Sequence, residues 1–86
     1  MKNLSDYKKI SNADLSQIVA GRAQDIAPNL VKLRKLSGYT RHDIAKKLSI
    51  STSSVAKYEE GLRVPDIDTI IDICHIFKTD IHNIID

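Results

Sequence analysis

RHDIAKKLSISTSSVAKYEEG, residues 41–61, is the stretch that decides the fold of this chain. Thr40 followed three residues later by Asp43 makes a capping box, with Asp in place of the usual Glu. It opens a helix over Arg41–Leu48 whose inner face is Ile44, Ala45 and Leu48. Only Ser49 and Ile50 precede the next N-cap, Ser51, which opens a helix over Thr52–Glu60 with Val55 and Tyr58 inward and Gly61 as its stop. Two short helices joined so tightly must cross steeply. A steep crossing needs a small residue at the contact, and Ala45, four residues before the turn, provides it. The second helix is left with a free face carrying Ser51, Thr52, Ser53, Ala56 and Lys57. These side chains are short enough at the N-terminal end to let it enter a groove about 12 Å wide, such as the DNA major groove. Backbone N–H groups at that end also favour phosphate.

Working outward, helical punctuation continues in both directions. Upstream, Pro28 to Ser37 reads as a helix with the apolar positions Leu30, Leu33 and Leu36 and the basic Lys32, Arg34 and Lys35, closed by Gly38 in a left-handed cap. Before it, Ser11 or Asn12 caps a first helix with Leu15, Ile18, Val19, Ala23 and Ile26 at helical spacing. Gly21 weakens that helix by about 1 kcal/mol relative to Ala. Pro28 ends or kinks it, or opens the next helix where a missing N–H does no harm. Residues 1–10 carry no period and read as a mobile arm. Downstream of the loop LRVP, Asp66 caps a helix over Ile67–Phe77, and Asp80 caps a last short one over Ile81–Ile85. No segment alternates apolar and polar residues for long, so the fold class is all-α.

The order and spacing of LVKLRKLSGYT, RHDIAKKLSISTSSVAKYEEG, Pro65 and DTIIDICHIFKTDIHNII resemble the phage-repressor-like helix-turn-helix proteins of the Cro and xenobiotic-response-element type, over roughly Leu30 to Ile85. The resemblance implies a five-helix domain that binds DNA through its third helix. It places Thr52, Ser53 and Lys57 at the main groove-facing positions, and Arg41 where the family usually has a Gln that contacts the backbone. Three departures stand out: Arg41 for that Gln, Ser49 for a left-handed turn Gly at a cost of about 1 kcal/mol, and Lys78 for a helix-ending Gly. The resemblance also implies an ion pair between Arg34 and Glu59, each one position past an inward residue, with Glu60 in solvent.

Charge is distributed to match. Residues 1–26 carry +1; residues 27–64 hold eight Lys and Arg against Asp43, Glu59 and Glu60, hence +5; residues 65–86 hold Lys78 against five Asp, hence −4. A basic middle beside an acidic end suits one face turned to a polyanion and another turned away. Lys46, Lys47 and Arg63 are further candidates for phosphate contact, although surface lysines are common in any soluble domain. Tyr58 follows the Val55 face by three residues and belongs to the core rather than to a base-stacking platform.

Length and chemistry narrow the function classes. Eighty-six residues with 42% hydrophobic content support one core and a short appendage. Cys74, the single cysteine, excludes a disulfide framework and a cysteine-built zinc site, lies on an inner helical stripe as an inert thiol, and fits a reducing compartment. His42, His75 and His82 lack metalloprotease spacing, and there is no glycine-rich phosphate loop or nucleophile elbow, so an enzyme is not expected and no cofactor or metal is implied. No apolar run is long enough to span or anchor in a membrane.

These readings divide the chain into an N-terminal arm and extra helix, residues 1–27, and a helix-turn-helix domain, residues 28–86. The expected function is a cytoplasmic, sequence-specific DNA-binding transcriptional regulator, most simply a repressor that binds a palindromic operator as a homodimer. Its expected partner is double-stranded DNA, with Arg41, Ser51, Thr52, Ser53, Ala56, Lys57 and Arg63 as DNA-binding residues. No sensor domain is expected. Ile73, Ile76, Ile81, Ile84 and Ile85 exceed what one core needs. Either they form a homodimer interface, or residues 13–27 cover them. The alternatives in function are an antitoxin or restriction-controller type of autoregulator that grips a partner protein through its N-terminal segment, or an interaction module without DNA binding.

Overall fold

The computed structural model describes residues 12–86, and all regular structure within them is helical. The arm expected over residues 1–10, the Ser11 cap and the side chain of Leu15 lie outside the described residues. Six helices follow: α1 Asn12–Gly21, α2 Ala23–Ser37, α3 Arg41–Leu48, α4 Thr52–Glu59, α5 Ile67–Phe77 and α6 His82–Ile85. The Thr40–Asp43 capping box forms in both directions, Asp43 N–H donating to Thr40 Oγ1 at 3.1 Å and Thr40 N–H to Asp43 Oδ2 at 2.9 Å. Ser51 caps α4 and Asp66 caps α5 as their spacing requires. Gly38, Ser49, Gly61 and Lys78 all take positive φ, so two of the four left-handed helix ends are made without glycine.

The first helix differs from its sequence reading. A single helix through Ile26 is expected, but the chain breaks at Arg22 (φ −111°, ψ 17°) and starts again at Ala23. The break follows Gly21, the weakest helix former in the segment, and Val19 before it and Ile26 after it are both buried in the core. The register of α2 therefore begins five residues before Pro28. Pro28 lies inside it on the exposed side, where water can replace the one bond its ring removes. One continuous helix thus joins the two segments that meet at residues 27 and 28.

One apolar position lies off the core, and one further expectation is corrected. Leu36 is largely exposed: six residues at about 100° each carry it 120° away from Leu30, off the buried stripe. Asp80 does not cap α6 with its side chain; Ile81 is already helical (φ −57°, ψ −29°), so Asp80 contributes only its backbone carbonyl, to Asn83 N–H at 3.0 Å.

Tertiary packing forms two joined clusters. The larger is built on Ile70, Ile73 and Cys74 of α5 and on Ile81, Ile84 and Ile85 at the C-terminal end, closed by Val19, Ile26 and Leu30 from α1 and α2. The isoleucines in apparent excess are thus covered within the chain: Ile73, Ile81, Ile84 and Ile85 are buried, and Ile76 is half-buried against the second cluster. Each fully buried Ile contributes roughly 1.5–3 kcal/mol, so exposing this face would be costly. Asn29 Nδ2 donates to the Ile84 carbonyl at 2.9 Å and Arg22 pairs with Asp86 at 3.7 Å, tying the N-terminal helices to the last one. The smaller cluster, Ile44, Ala45 and Val55, lies where α3 meets α4.

Candidate nucleic-acid interface

The turn between α3 and α4 is shaped by Ser49, whose φ of 58° and ψ of 41° place it in the left-handed region. The Ile50 amide donates to the Ala45 carbonyl at 3.0 Å and the Ser49 amide to that of Lys46 at 3.3 Å, satisfying two carbonyls at the end of α3. Ser51 then resets the chain. Its Oγ accepts from the Ser54 amide at 3.1 Å, and its hydroxyl lies 2.9 Å from that of Ser54. Ala45 is buried at the crossing, so the helices approach as closely as the two-residue link demands.

Consequently the N-terminal face of α4 points outward. Ser51, Thr52, Ser53 and Lys57 are exposed, and Ala56 is half-buried. Ser51 spends its oxygen on the cap, whereas Thr52, Ser53 and Lys57 make no side-chain hydrogen bond or ion pair to the described residues. Arg63, in the loop after α4, reaches back to donate from Nη1 to Ser54 Oγ at 3.4 Å, so it borders the same face. Ser54 was not among the expected site residues; its place at the third position of α4, opposite a Ser cap, is the sequence signal that could have marked it.

Behind this face lies an ionic network. Glu59, with only 2% of its side chain exposed, takes Arg34 Nε on Oε2 at 2.7 Å and Arg34 Nη2 on Oε1 at 3.1 Å. Arg34 Nη1 donates to the Tyr39 carbonyl at 3.1 Å, which uses all three nitrogens of its guanidinium. The expected Arg34–Glu59 pair is therefore present as a two-bond fork, and Glu60 is exposed as expected. Arg41 was expected only at the DNA backbone, yet its Nε also donates to Glu59 Oε1, at 2.9 Å. Residues 41 and 59 stand on different helices, and no local spacing announces the contact. Burial pushes the Glu59 carboxyl up, but the hydrogen bonds from Arg34 and Arg41 outweigh it and hold it below the usual carboxylate range. The hydrogen bond to Glu59 raises Arg34 further above its ordinary value.

On the outer side of α3, Lys46 and Lys47 are exposed, with Lys47 Nζ 5.1 Å from the centre of the Tyr39 ring. Hydrogen bonding to Thr40, above all from its amide, holds the Asp43 carboxyl below its ordinary value. Cys74 is buried and its thiol is pushed up to about 11, chiefly by desolvation, so it takes no part in surface chemistry. Among the described residues, no group of three or more His, Cys, Asp or Glu is placed to hold a metal, and no helix is long and apolar enough to cross a membrane.

Two helices in sequence, joined by a left-handed serine and presenting a short, polar N-terminal face, define a helix-turn-helix unit. The chain belongs to the helix-turn-helix family of DNA-binding regulators, whose sequence model matches residues 30–83. It is similar to the HTH-type transcriptional regulator ImmR of Bacillus subtilis (strain 168), with 31% identity over 53 residues. The match covers 62% of this chain and 42% of that protein, so the similarity spans less than half of the relative's length. No solved structure matches the chain with significance.

Proposed function

We propose that this protein is a sequence-specific DNA-binding regulator that acts in the cytoplasm as a homodimeric repressor on a palindromic operator. The observation that carries the reading is the outward N-terminal face of α4, where Thr52, Ser53 and Lys57 make no side-chain bond to the described residues on a helix seated by the α3–α4 turn. Thr52 and Ser53 meet base edges, Lys57 a base or phosphate, and Arg41, Ser51 and Ala56 frame the approach. Arg63, Lys46 and Lys47 extend the positive surface to flanking phosphates.

A single α4 offers three reading side chains, each good base contact being worth about 1–3 kcal/mol of discrimination. Such a short readout favours two copies on half-sites about 34 Å apart, one turn of the duplex. The isoleucine face is buried in the monomer, so the dimer contact belongs elsewhere, and among the described residues Leu36, Leu62 and Val64 are the large apolar side chains left exposed. Occlusion of a promoter is the simplest consequence of such occupancy, hence a repressor.

Selection of bound sites from a random duplex pool, followed by binding isotherms across salt, tests the reading. An enriched palindrome and a log–log salt slope of about −4 to −7 are expected, as for five to eight neutralised phosphates. No enrichment together with a flat salt dependence would refute it.

A further inference from the structure

Arg34 and Arg41 share one carboxylate but are held differently. Every nitrogen of the Arg34 guanidinium is engaged inside the protein, by Glu59 and the Tyr39 carbonyl. Arg41 is fixed at one edge only. Its Nε is on Glu59 Oε1 at 2.9 Å, while its Nη nitrogens make no hydrogen bond to the described residues and Nη1 stands 3.8 Å from Glu60 Oε1, beyond hydrogen-bonding distance. Its side chain is 39% exposed and starts from the first residue of α3, where unpaired backbone N–H groups also gather. A planar guanidinium pinned at Nε presents its two Nη nitrogens side by side, the arrangement that grips two oxygens of one phosphate.

We propose that Glu59 is a positioning residue: by holding Arg41 at Nε it aims the Nη edge at a single backbone phosphate, so one buried carboxylate sets both the seat of the recognition helix and a phosphate grip. This rests on the DNA-binding reading above and assigns a mechanism within it. Glu59 belongs to the last turn of α4 and Arg41 to the first residue of α3. The bond between them therefore links the helix that reads bases to the side chain that fixes register on the backbone. Pinning removes rotamers that a free Arg would lose only on binding, so the grip is organised before DNA arrives. Two arginines against Glu59 leave a net positive charge at the network, and Glu60, half in water, screens it only weakly.

The test couples single phosphates to single side chains. Fluorescence anisotropy is measured for a duplex enriched from the random pool and for versions carrying one uncharged methylphosphonate at each position in turn. For the wild-type protein, one position per half-site is expected to lose about tenfold or more in affinity. The Arg41→Ala protein should lose less than twofold at that same position, with its salt slope shallower by about 0.9 per half-site. Glu59→Met, which removes both acceptor oxygens and is confirmed as folded by circular dichroism, should show the same loss of coupling. If it does not fold, the apolar pair Arg34→Met with Glu59→Met frees Arg41 while filling the space, and takes its place. The proposal is overturned if Arg41→Ala and wild type lose equally at every modified phosphate, which makes Arg41 a bridge between helices and leaves DNA binding intact. It is equally overturned if folded Glu59 variants keep the full coupling at that phosphate. Absence of salt-dependent binding by the wild type is the separate result that removes the DNA reading itself.

Discussion

Replacing Glu59 by Ala should be the most damaging single change to a charged residue in this domain, and Glu60→Ala should be nearly silent. Glu59 is buried and accepts three charged hydrogen bonds, at 2.7, 2.9 and 3.1 Å, whereas the only ion pair of Glu60 among the described residues spans 3.8 Å at a half-exposed side chain. Removing Glu59 leaves Arg34, 15% exposed and enclosed by the core, as an uncompensated buried charge, a loss of about 3–5 kcal/mol. Arg41 adds little to that figure, because its exposed end regains water. The Glu60 change is an exposed-pair loss of about 0–1 kcal/mol. At roughly 4–8 °C per kcal/mol for a domain of this size, Glu59→Ala should lower Tm by about 12 °C or more, and Glu60→Ala by about 8 °C at most. Urea denaturation and thermal melts followed by circular dichroism at neutral pH give both numbers. A double-mutant cycle with Arg34→Ala should show a coupling of about 1–3 kcal/mol, since removing both partners strands neither. Equal, small losses for the two glutamates without coupling to Arg34 would refute the reasoning, whatever the protein's DNA affinity.

Three other outcomes follow from the same geometry. Ser49→Gly should stabilise the fold by about 0.5–1 kcal/mol in denaturant titrations, because φ of 58° strains an L-residue and not glycine; a loss would mean that the serine side chain supports the turn. Ile84→Asp with Ile85→Asp should unfold the chain rather than release a soluble monomer, because both side chains have no exposure; a folded monomer by circular dichroism and ultracentrifugation would contradict that burial. Glu59, Asp43 and Asp66 are all held below their usual carboxylate values, Asp66 by the Thr69 amide, so their contribution is complete above the unfolded range near pH 4–4.5 and is lost as pH falls through the lowered folded values. Stability measured from pH 7 to pH 2 should accordingly be level down to about pH 5 and then decline, and a rise on acidification would contradict the network.

Much of this protein is determined by sequence alone, because its helix boundaries are set by local chemistry. Thr40 and Asp43, Ser51, Asp66, Gly38 and Gly61 each act within four residues of where they stand, so the limits of α3, α4 and α5 and the tight turn at Ser49 follow from spacing. The outward face of α4 follows too, since Val55 and Tyr58 fix which side is inward. Even the Arg34–Glu59 pair was visible, through family resemblance rather than periodicity. Tertiary structure decided the rest. That the surplus isoleucines pack against Val19, Ile26 and Leu30 of α1 and α2 is a choice among equally apolar partners that a helical pattern does not encode. The second hold on Glu59 likewise arises only when α3 and α4 are brought together: Arg41 stands eighteen positions away on another helix, and a buried carboxylate binds whichever cations the packing delivers to its two oxygens.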